Sequence, residues 1–521
     1  MIDSPNTLGL PGLEGQCAWV RPAAPAPVPA PARVKLVDRN QRVWRSVDVE
    51  ELLNQEHPAR AIWALSAQLD LSRFYAPIEA VEGAAGRTAW DPRLLVSLWI
   101  YAYSRGISSA RELARRCQYE PAFQWLCGLE SINHHTLSDF RVKHGLALQE
   151  LFVEVLGVLS AQSLVSLERV MHDGTKVQAL ASRDSFKREA TLQEHLTAAR
   201  QQVEVLAAEA SEQPNRQQAA RQRAARERQQ RVDQALEQLE QLRQTKQSQK
   251  EKQEARASLS DAQARNMKQP DGGYAPSYNV QLSTEASHKI IVGVGVSQNG
   301  NDYGELVDGM QRVEQNLQAK PAQVVADGGF TSRENIQAMA AQGIDFIGSL
   351  AEPATPKQAG QTTPEGTSSF TMQAFSYDVA QDQYTCPAGQ ALRCVREDKR
   401  RAGVVHYFYR AHKAHCQACP LKEQCCPQSN EGRWVLRSVE EAPVQAFRQK
   451  MQSPQAREIY RQRAPVAEFP NAWLKAKLGL RQFRLRGLAK VRLEALWACL
   501  TYNIQQWIRL CWLPGLTGAQ P

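Results

Sequence analysis

No run of about eighteen apolar residues interrupts this 521-residue sequence, so no helical membrane span is expected. The N-terminus lacks a basic stretch followed by an apolar core, so no secretory signal is expected either. Acidic side chains are the minority: 54 Asp and Glu against 63 Lys and Arg leave a formal charge of +9. Such a balance suits a polyanionic partner without requiring one. Cysteine is sparse outside one segment, with six of eleven lying between Cys386 and Cys426. Thiols crowded in this way, in a reducing compartment, are expected to ligate metal rather than pair as disulfides. Together these features lead us to expect a soluble, cytoplasmic protein. The hydrophobic share of 43% is ordinary, and the length allows two or three domains.

Residues 1–44 hold a Pro/Ala-rich stretch, "RPAAPAPVPAPA", expected to be disordered. Helical signals fill 45–163. "DPRLLVSLWIYAYSRG" starts with Asp-Pro and ends before Gly106; Ser109 stands three residues before Glu112, and Thr136 three before Asp139, both capping spacings. Arg141, Lys143 and His144 then suggest a basic face. The region reads either as a helix-turn-helix-like DNA-binding domain or as a small bundle with a solvated face. Residues 185–257 are polar, but Leu192, Leu196, Ala199, Val203 and Leu206 follow a coiled-coil seam that Pro214 breaks and Val232, Leu236 and Leu239 resume. A helical hairpin is expected there, either a spacer or an arm that dimerises or grips DNA.

Strand patterns surround this insertion. "YNVQLST" (278–284) alternates like a half-buried strand; "KIIVGVGV" and "IDFIGS" are apolar β-runs; 302–317 is helical, and Thr331 with Glu334 caps a further helix. The order predicts a mixed sheet flanked by helices, an α/β core. Two apolar strands, before Asp173 and before Asp327, are each expected to stop at Asp-Gly. Either pair could be a plain turn. Both carboxylates on neighbouring strand ends could instead share hard cations, as in-line phosphoryl displacement requires. His172 is expected to pack rather than to ligate.

Downstream, 475–492 carries seven Lys/Arg and no acid, interleaved with Leu and Phe483. Such a run suits a helix or loop laid along phosphates, although a solubilising face has the same composition. Cys416 and Cys419 form a C-x2-C knuckle that Cys386 and Cys425 could complete as a tetrahedral Zn²⁺ site, with Cys426, His406, His412 and His415 as substitutes and free thiols as the other possibility. Cys17, Cys117, Cys127, Cys499 and Cys511 read as ordinary thiols.

"YRQRAPVAEFPNAWLK" sets out Tyr460, Arg463, Glu468 and Lys475 as Y-x2-R-x4-E-x6-K. This resembles the Tyr-Arg-Glu-Lys signature of bacterial insertion-sequence DDE transposases. "GRTAWDPRLL", "HHTLSDFR", "DGTKVQALAS", "SYNVQLST", "ADGGFTSREN" and "CQACPLKEQC" resemble the subgroup with a helical N-terminal domain. The resemblance runs from about residue 45 to about 510. It departs from the commonest form in an Arg-to-Glu gap of four rather than three, and in "NHH" where Pro-Asp-His is frequent. Glu458 and Glu494 are the alternative late acids.

The resemblance implies a ribonuclease H-like catalytic core over 164–349 and 440–510, interrupted by the hairpin and by a Cys-rich zinc insertion at 350–439. It implies Asp173, Asp327 and Glu468 as a triad for two Mg²⁺ (or Mn²⁺) ions. It further implies Lys475, Arg463 and Tyr460 at the DNA end, with Arg481, Arg484 and Arg486 on the flanking backbone. The expected partners are double-stranded DNA, as the element's inverted repeats and the target, and a second copy of the chain. The expected location is the bacterial cytoplasm, on the nucleoid. A hydrolysis-only nuclease and a non-catalytic DNA-binding regulator are the competing readings.

Overall fold

A computed structural model describes residues 7–8, 19–20, 40, 42, 44, 46–80, 88–209, 215–349, 370, 374–398, 404–427, 429–440 and 442–517. Contacts divide the chain into Met1–Asp48 and Val49–Pro521. Within the first unit, Thr7–Leu8 pairs antiparallel with Trp19–Val20. Most of the Pro/Ala-rich stretch lies outside the described residues, as do Cys17 and Pro214.

The second unit opens with helices α1 (Pro58–Ser66), α2 (Pro92–Ser104), α3 (Ala110–Tyr119), α4 (Pro121–Cys127), α5 (His134–Lys143) and α6 (Gly145–Ala161). Their starts are set by local chemistry. Asp91 accepts from Arg93 N ahead of Pro92, and Ser109 accepts from Glu112 N. α5 begins earlier than expected, because Asn133 rather than Thr136 accepts the first free N–H, that of His135. The expected basic face of α5 is not formed. Arg141 is buried, Lys143 is paired with Asp139 at 2.7 Å, and the ring of His144 packs against Phe74 and Phe140. Among the described residues no single helix is long and apolar enough to cross a membrane.

The core is a six-stranded mixed sheet of β1 (Arg169–Gln178), β2 (Arg265–Lys268), β3 (Tyr274–Glu285), β4 (Ile291–Ser297), β5 (Gln323–Ala326) and β6 (Asp345–Ile347). The order is β6-β5-β1-β3, with β2 and β4 sharing the far edge of β3; β6, β5 and β1 run parallel and the other pairings are antiparallel. Helices α9 (Glu305–Leu317) and α10 (Arg333–Ala341) join the later strands. Ser332, not Thr331, caps α10, accepting from Asn335 N, while the Thr331 hydroxyl donates to Asp327 O at 2.8 Å.

β3 departs from the half-buried expectation. Its polar positions Ser277, Asn279, Gln281 and Ser283 are as buried as Tyr278, Val280 and Leu282 between them. A buried polar stripe must find partners, and it does: Gln269 for Ser277, Asp302 for Asn279 and Gln281, and His172 for Ser283.

Between β1 and β2 the chain leaves as α7 (Glu189–Ala208) and α8 (Arg216–Thr245), an antiparallel hairpin. Glu189 at the start of α7 meets Arg243 at the end of α8 at 2.8 Å. Leu192, Leu196 and Ala199 bury against the side that carries Val232, Ala235 and Leu239, as the seam predicts. The Cys-rich region is a five-stranded antiparallel meander, β7 (Ser376–Asp378), β8 (Gln383–Thr385), β9 (Ala391–Asp398), β10 (Val404–Ala411) and β11 (Trp434–Glu440). Last come α11 (Pro454–Arg461), α12 (Arg463–Ala476) and α13 (Leu488–Trp507). α13 joins the helices to the sheet: the Trp497 ring lies parallel to Tyr103 of α2, and Asn503 bonds the Ile291 backbone of β4.

Candidate functional site

Parallel pairing of β1 with β5 ends at His172–Ala326, so Asp173 and Asp327 are the next residues on two adjacent strands. Asp327 stands where the sequence pattern puts it, just beyond the strand, with its Oδ1 accepting from Gly329 N at 2.8 Å. Asp173 does not end its strand. β1 continues through Gly174 to Gln178 because β3 carries the ladder on its other edge, Asp173 facing Leu282 and Gly174 facing Gln281. Neighbouring His172 is buried, in edge contact with Phe330 and 2.9 Å from Ser283 Oγ, and burial pulls its pKa down to about 3. It is a neutral packing residue.

α12 crosses the face of β1 that bears Asp173. Arg463, Ala467, Asn471 and Lys475 recur every four residues and therefore share one side of the helix. Arg463 Nη1 lies 3.9 Å from Asp173 Oδ1; Asn471 Nδ2 donates to Asp173 Oδ2 at 2.9 Å and to Ala467 O at 3.2 Å. Lys475 Nζ donates to Thr175 Oγ1 at 2.5 Å, and burial lowers its pKa, with Arg481 adding to the effect. Tyr460, on α11, has the Arg463 guanidinium 6.0 Å from its ring.

Glu468 sits one turn before Asn471 with its side chain exposed. Of the alternative acids, Glu458 is exposed and paired with Arg461 at 3.0 Å. Glu494 is fully buried and accepts from Arg484 N and Leu485 N, so its carboxylate shapes a loop. Among the described residues no three His, Cys, Asp or Glu side chains are already placed to share a metal ion.

Burial raises the Asp173 carboxyl to a pKa of about 6; Arg463 opposes the shift, while Asp327 and Asp302 add to it. Asp302 is an acid the sequence reading passed over. It lies between β4 and α9, accepts from Asn279 Nδ2 and Gln281 Nε2 at 2.7 Å each, and covers Gly174 on the face opposite α12. Here is the reason for the Asp-Gly pair: a Cβ on residue 174 would stand 2.5 Å from Asp302 Oδ1 and 2.7 Å from Gln281 Nε2. Gly174→Ala is therefore expected to displace Asp302, break its amide bonds and destabilise the fold by about 1–3 kcal/mol, as overpacked cores do. Urea unfolding checks this; an unchanged midpoint would refute it.

Residues 385–508 match the family model described as Transposase DDE domain, and residues 47–143 match Transposase domain (DUF772). Each of these two segments is thus similar to a transposase domain. The first holds α12, α13 and most of the Cys-rich sheet, and the second holds α1–α5; the strands bearing Asp173 and Asp327 lie between them. No curated protein matches the chain. A solved structure, the cryo-EM structure of a piggyBac transposase synaptic complex with hairpin DNA, is similar at 9% identity over 90% of this chain and 77% of that one. Its TM-score of 0.31 is too low to establish a common fold.

Within the segment that matches the DDE model, the basic run is not one helix. α12 stops at Ala476, and residues 477–487 form a loop before α13. Leu478, Leu480 and Phe483 are buried, so Phe483 anchors the loop and is not free to lie along phosphates. The loop adds to the end of β1: Gln178 N donates to Arg481 O at 3.1 Å and Phe483 N to Gln178 O at 2.8 Å. Arg481, Arg484 and Arg486 remain exposed, with Arg486 Nε donating to Leu180 O at 3.1 Å.

The same segment gathers the cysteines. Cys386, Cys416, Cys419, Cys425 and Cys426 line one small cavity with His415, whereas Cys394 is exposed elsewhere. Gln390 N donates to Cys386 Sγ at 3.3 Å and Arg433 N to Cys416 Sγ at 3.4 Å. Burial raises the Cys425 thiol, and burial with the adjacent Cys425 and Cys416 pushes Cys426 up to about 12.

Proposed function

We propose that this chain is an insertion-sequence DNA transposase that binds the inverted repeats of its own element and catalyses cleavage and then strand transfer. The observation that supports the reading is that Asp173 and Asp327 follow the last pair of a shared parallel ladder, with α12 placing Arg463 and Asn471 against Asp173 and Lys475 against Thr175. The two transposase segments support it. We read the mixed sheet and its flanking helices as a ribonuclease H-like core, and Tyr460, Arg463, Glu468 and Lys475 as the Tyr-Arg-Glu-Lys signature of the bacterial enzymes.

The acids fit a hard divalent cation: two carboxylates on adjacent strands just past their shared ladder, one of them with a proton affinity raised by burial and acidic neighbours, form an oxygen donor set that a cation would relieve. Asp173, Asp327 and Glu468 would hold Mg²⁺ or Mn²⁺, two ions per site, which when bound activate water and neutralise charge on the phosphoryl group. The rest is done by the chain itself. Asn471 fixes the Asp173 carboxylate by its amide, and Arg463 offsets its charge. Lys475, carried on a rigid helix, holds the terminal phosphate as a point charge, while Tyr460 and Arg463 flank the DNA end. Water attacks the phosphodiester at the element's end and frees a 3′-OH. That hydroxyl then attacks target DNA at the same site, positioning supplying much of the rate.

We assign the cysteine cavity to a structural Zn²⁺ held by Cys386, Cys416, Cys419 and Cys425. The backbone N–H bonds to two of these sulfurs suit thiolates, and Cys426 and His415 stand ready in the same cavity. Two ends must meet for strand transfer, so the working form is a homodimer on DNA, in the bacterial cytoplasm at the nucleoid.

The test incubates purified protein with duplexes carrying the element ends and Mg²⁺. Cleavage at the ends and covalently joined target products are expected. Cleavage without joints would favour a hydrolytic nuclease, and binding without either would favour a DNA-binding regulator.

A further inference from the structure

A basic cleft lies where the N-terminal helices meet the loop after α12. Arg111 of α3, His134, His135 and Ser138 of α5, Arg141, and Arg484 from the loop all line it. The first turns of α3 and α5, each a ten-residue helix, border the cleft. Helix N-termini present unpaired N–H groups and partial positive charge.

The wall between the two regions is rigid. Gly106 and Gly479, both with φ of +72°, approach so closely that a Cβ on Gly479 would lie 3.2 Å from Gly106 O. The buried Glu494 carboxylate holds the loop at Arg484 N and Leu485 N, at 3.0 and 2.9 Å, which sets where the Arg484 side chain emerges.

Basic side chains outnumber acids in the lining of this cleft. Among the described residues neither Arg111 nor Arg484 forms an ion pair. Glu112, the acid in the lining, is occupied by Arg115 and Arg116 at 2.7 Å each, which hold its pKa down to about 2. The rings of His134 and His135 lie 4.2 Å apart, and His134 is held below its usual pKa by burial and then by His135 and Arg111. Arg141, only 5% exposed, lies over Trp99 and bonds Ser108 O, yet its Nε has no partner. Buried Glu494 offsets part of the charge of Arg141 and Arg484, Arg111 has no ion-pair partner among the described residues, and an anion in the cleft is attracted to the remaining positive excess.

We propose that this cleft seats backbone phosphate of duplex DNA, so that the helical region and the core form one continuous DNA-contacting surface. The inference rests on the transposase reading and places the helical region's DNA contact at the N-termini of α3 and α5, not at Lys143 and His144. Duplex DNA rather than free phosphate is favoured because the cleft is open and its lining includes Arg484 of the loop that also carries the exposed Arg481 and Arg486.

The experiment measures binding of the full chain to an element-end duplex over a salt series, with inorganic phosphate added in a parallel arm. R111A/R484A is expected to flatten the slope of log affinity against log salt by about 1.8, at 0.9 per lost phosphate contact. R111K/R484K is expected to restore it. R115A and K143A, whose charges are already paired with Glu112 and Asp139, are expected to leave the slope unchanged. Both arginines of the double variant are exposed, and thermal melting verifies its fold. An unchanged slope in R111A/R484A, with wild type still cleaving ends, overturns the cleft alone. So does a phosphate-dependent thermal shift lost in the variant while its DNA slope stays as in wild type. A wild type that binds no DNA overturns the transposase reading together with the cleft.

Discussion

Asp173→Asn is expected to abolish DNA cleavage while making the metal-free protein more stable at neutral pH. The side chain is 16% exposed, and burial with nearby Asp327 and Asp302 raises its pKa from 3.8 to about 6. The folded carboxyl thus binds a proton more tightly than the unfolded one. Its contribution to stability is complete below about pH 4, falls as pH rises through 6, and above that the folded state carries an unfavourable ionised carboxylate. Asparagine keeps the shape and can still accept from Asn471 Nδ2, but it removes the charge. A gain of up to about 3 kcal/mol at pH 7, shrinking toward zero below pH 4, follows from the linkage relation for this rise. Cleavage is expected to drop by at least about 10³-fold, as for loss of a main electrostatic element of an active site. Glu468→Gln makes the contrast: its exposed carboxylate predicts the same loss of cleavage with no gain in stability. Calorimetry at several pH values with a plasmid-nicking assay decides both. An Asp173→Asn protein that still cleaves removes that residue from the reaction, and one that melts lower at pH 7 contradicts the electrostatic account.

The Cys416→Ser, Cys419→Ser double variant is expected to lose about one Zn²⁺ per chain and with it the order of the meander β7–β11. That sheet has a small core of its own, chiefly Phe375, Tyr384, Leu392, Tyr409 and Val435. Apolar burial on this scale gives little net stability, so a metal cross-link worth roughly 10 kcal/mol or more in comparable zinc modules would dominate its folding. With Cys425 and Cys426 both raised toward the neutral thiol, zinc uptake should release protons and weaken as pH falls. Cys394→Ser, outside the cavity, should keep the metal. Elemental analysis and limited proteolysis give the answer. Folded, protease-resistant wild-type protein without zinc would sink the assignment.

The resemblance to DDE transposases drew on motifs spread along the chain, and the transposase segments at 47–143 and 385–508 agree with it at the level of family. It pointed to Asp173 and Asp327, which follow the shared ladder of two adjacent strands, to Lys475 on the helix that crosses them, and to Glu468, whose side chain is exposed on that helix. It did not point to Asn471 or Asp302. An asparagine inside a helix and an aspartate between Asn301 and Tyr303 carry no local signal of function. They matter only through Asp173 and Gly174, which are far away in sequence.

What the sequence determined by itself is the set of elements whose causes lie within a few residues. Asp91 and Ser109 cap their helices because the N–H groups they satisfy are two and three residues away. The seam of Leu192, Leu196 and Ala199 makes a helical hairpin because its period is that of the helix. What tertiary structure decided is where polar groups go once both faces of an element are covered. The alternation of β3 looked half-solvated, yet Asn279 and Gln281 are buried because the Asp302 loop and α9 close over them. β1 passes through its Asp-Gly because β3 continues beside it. Phe483 is buried because its loop lies along Gln178, about 300 residues earlier in the chain. Periodicity and capping report only neighbours in sequence, whereas desolvation of a polar or aromatic side chain depends on partners supplied by the folded chain. For that reason Asp173 was visible as a candidate acid, but its raised pKa and its Asn471 partner emerged only when α12 was laid across the sheet.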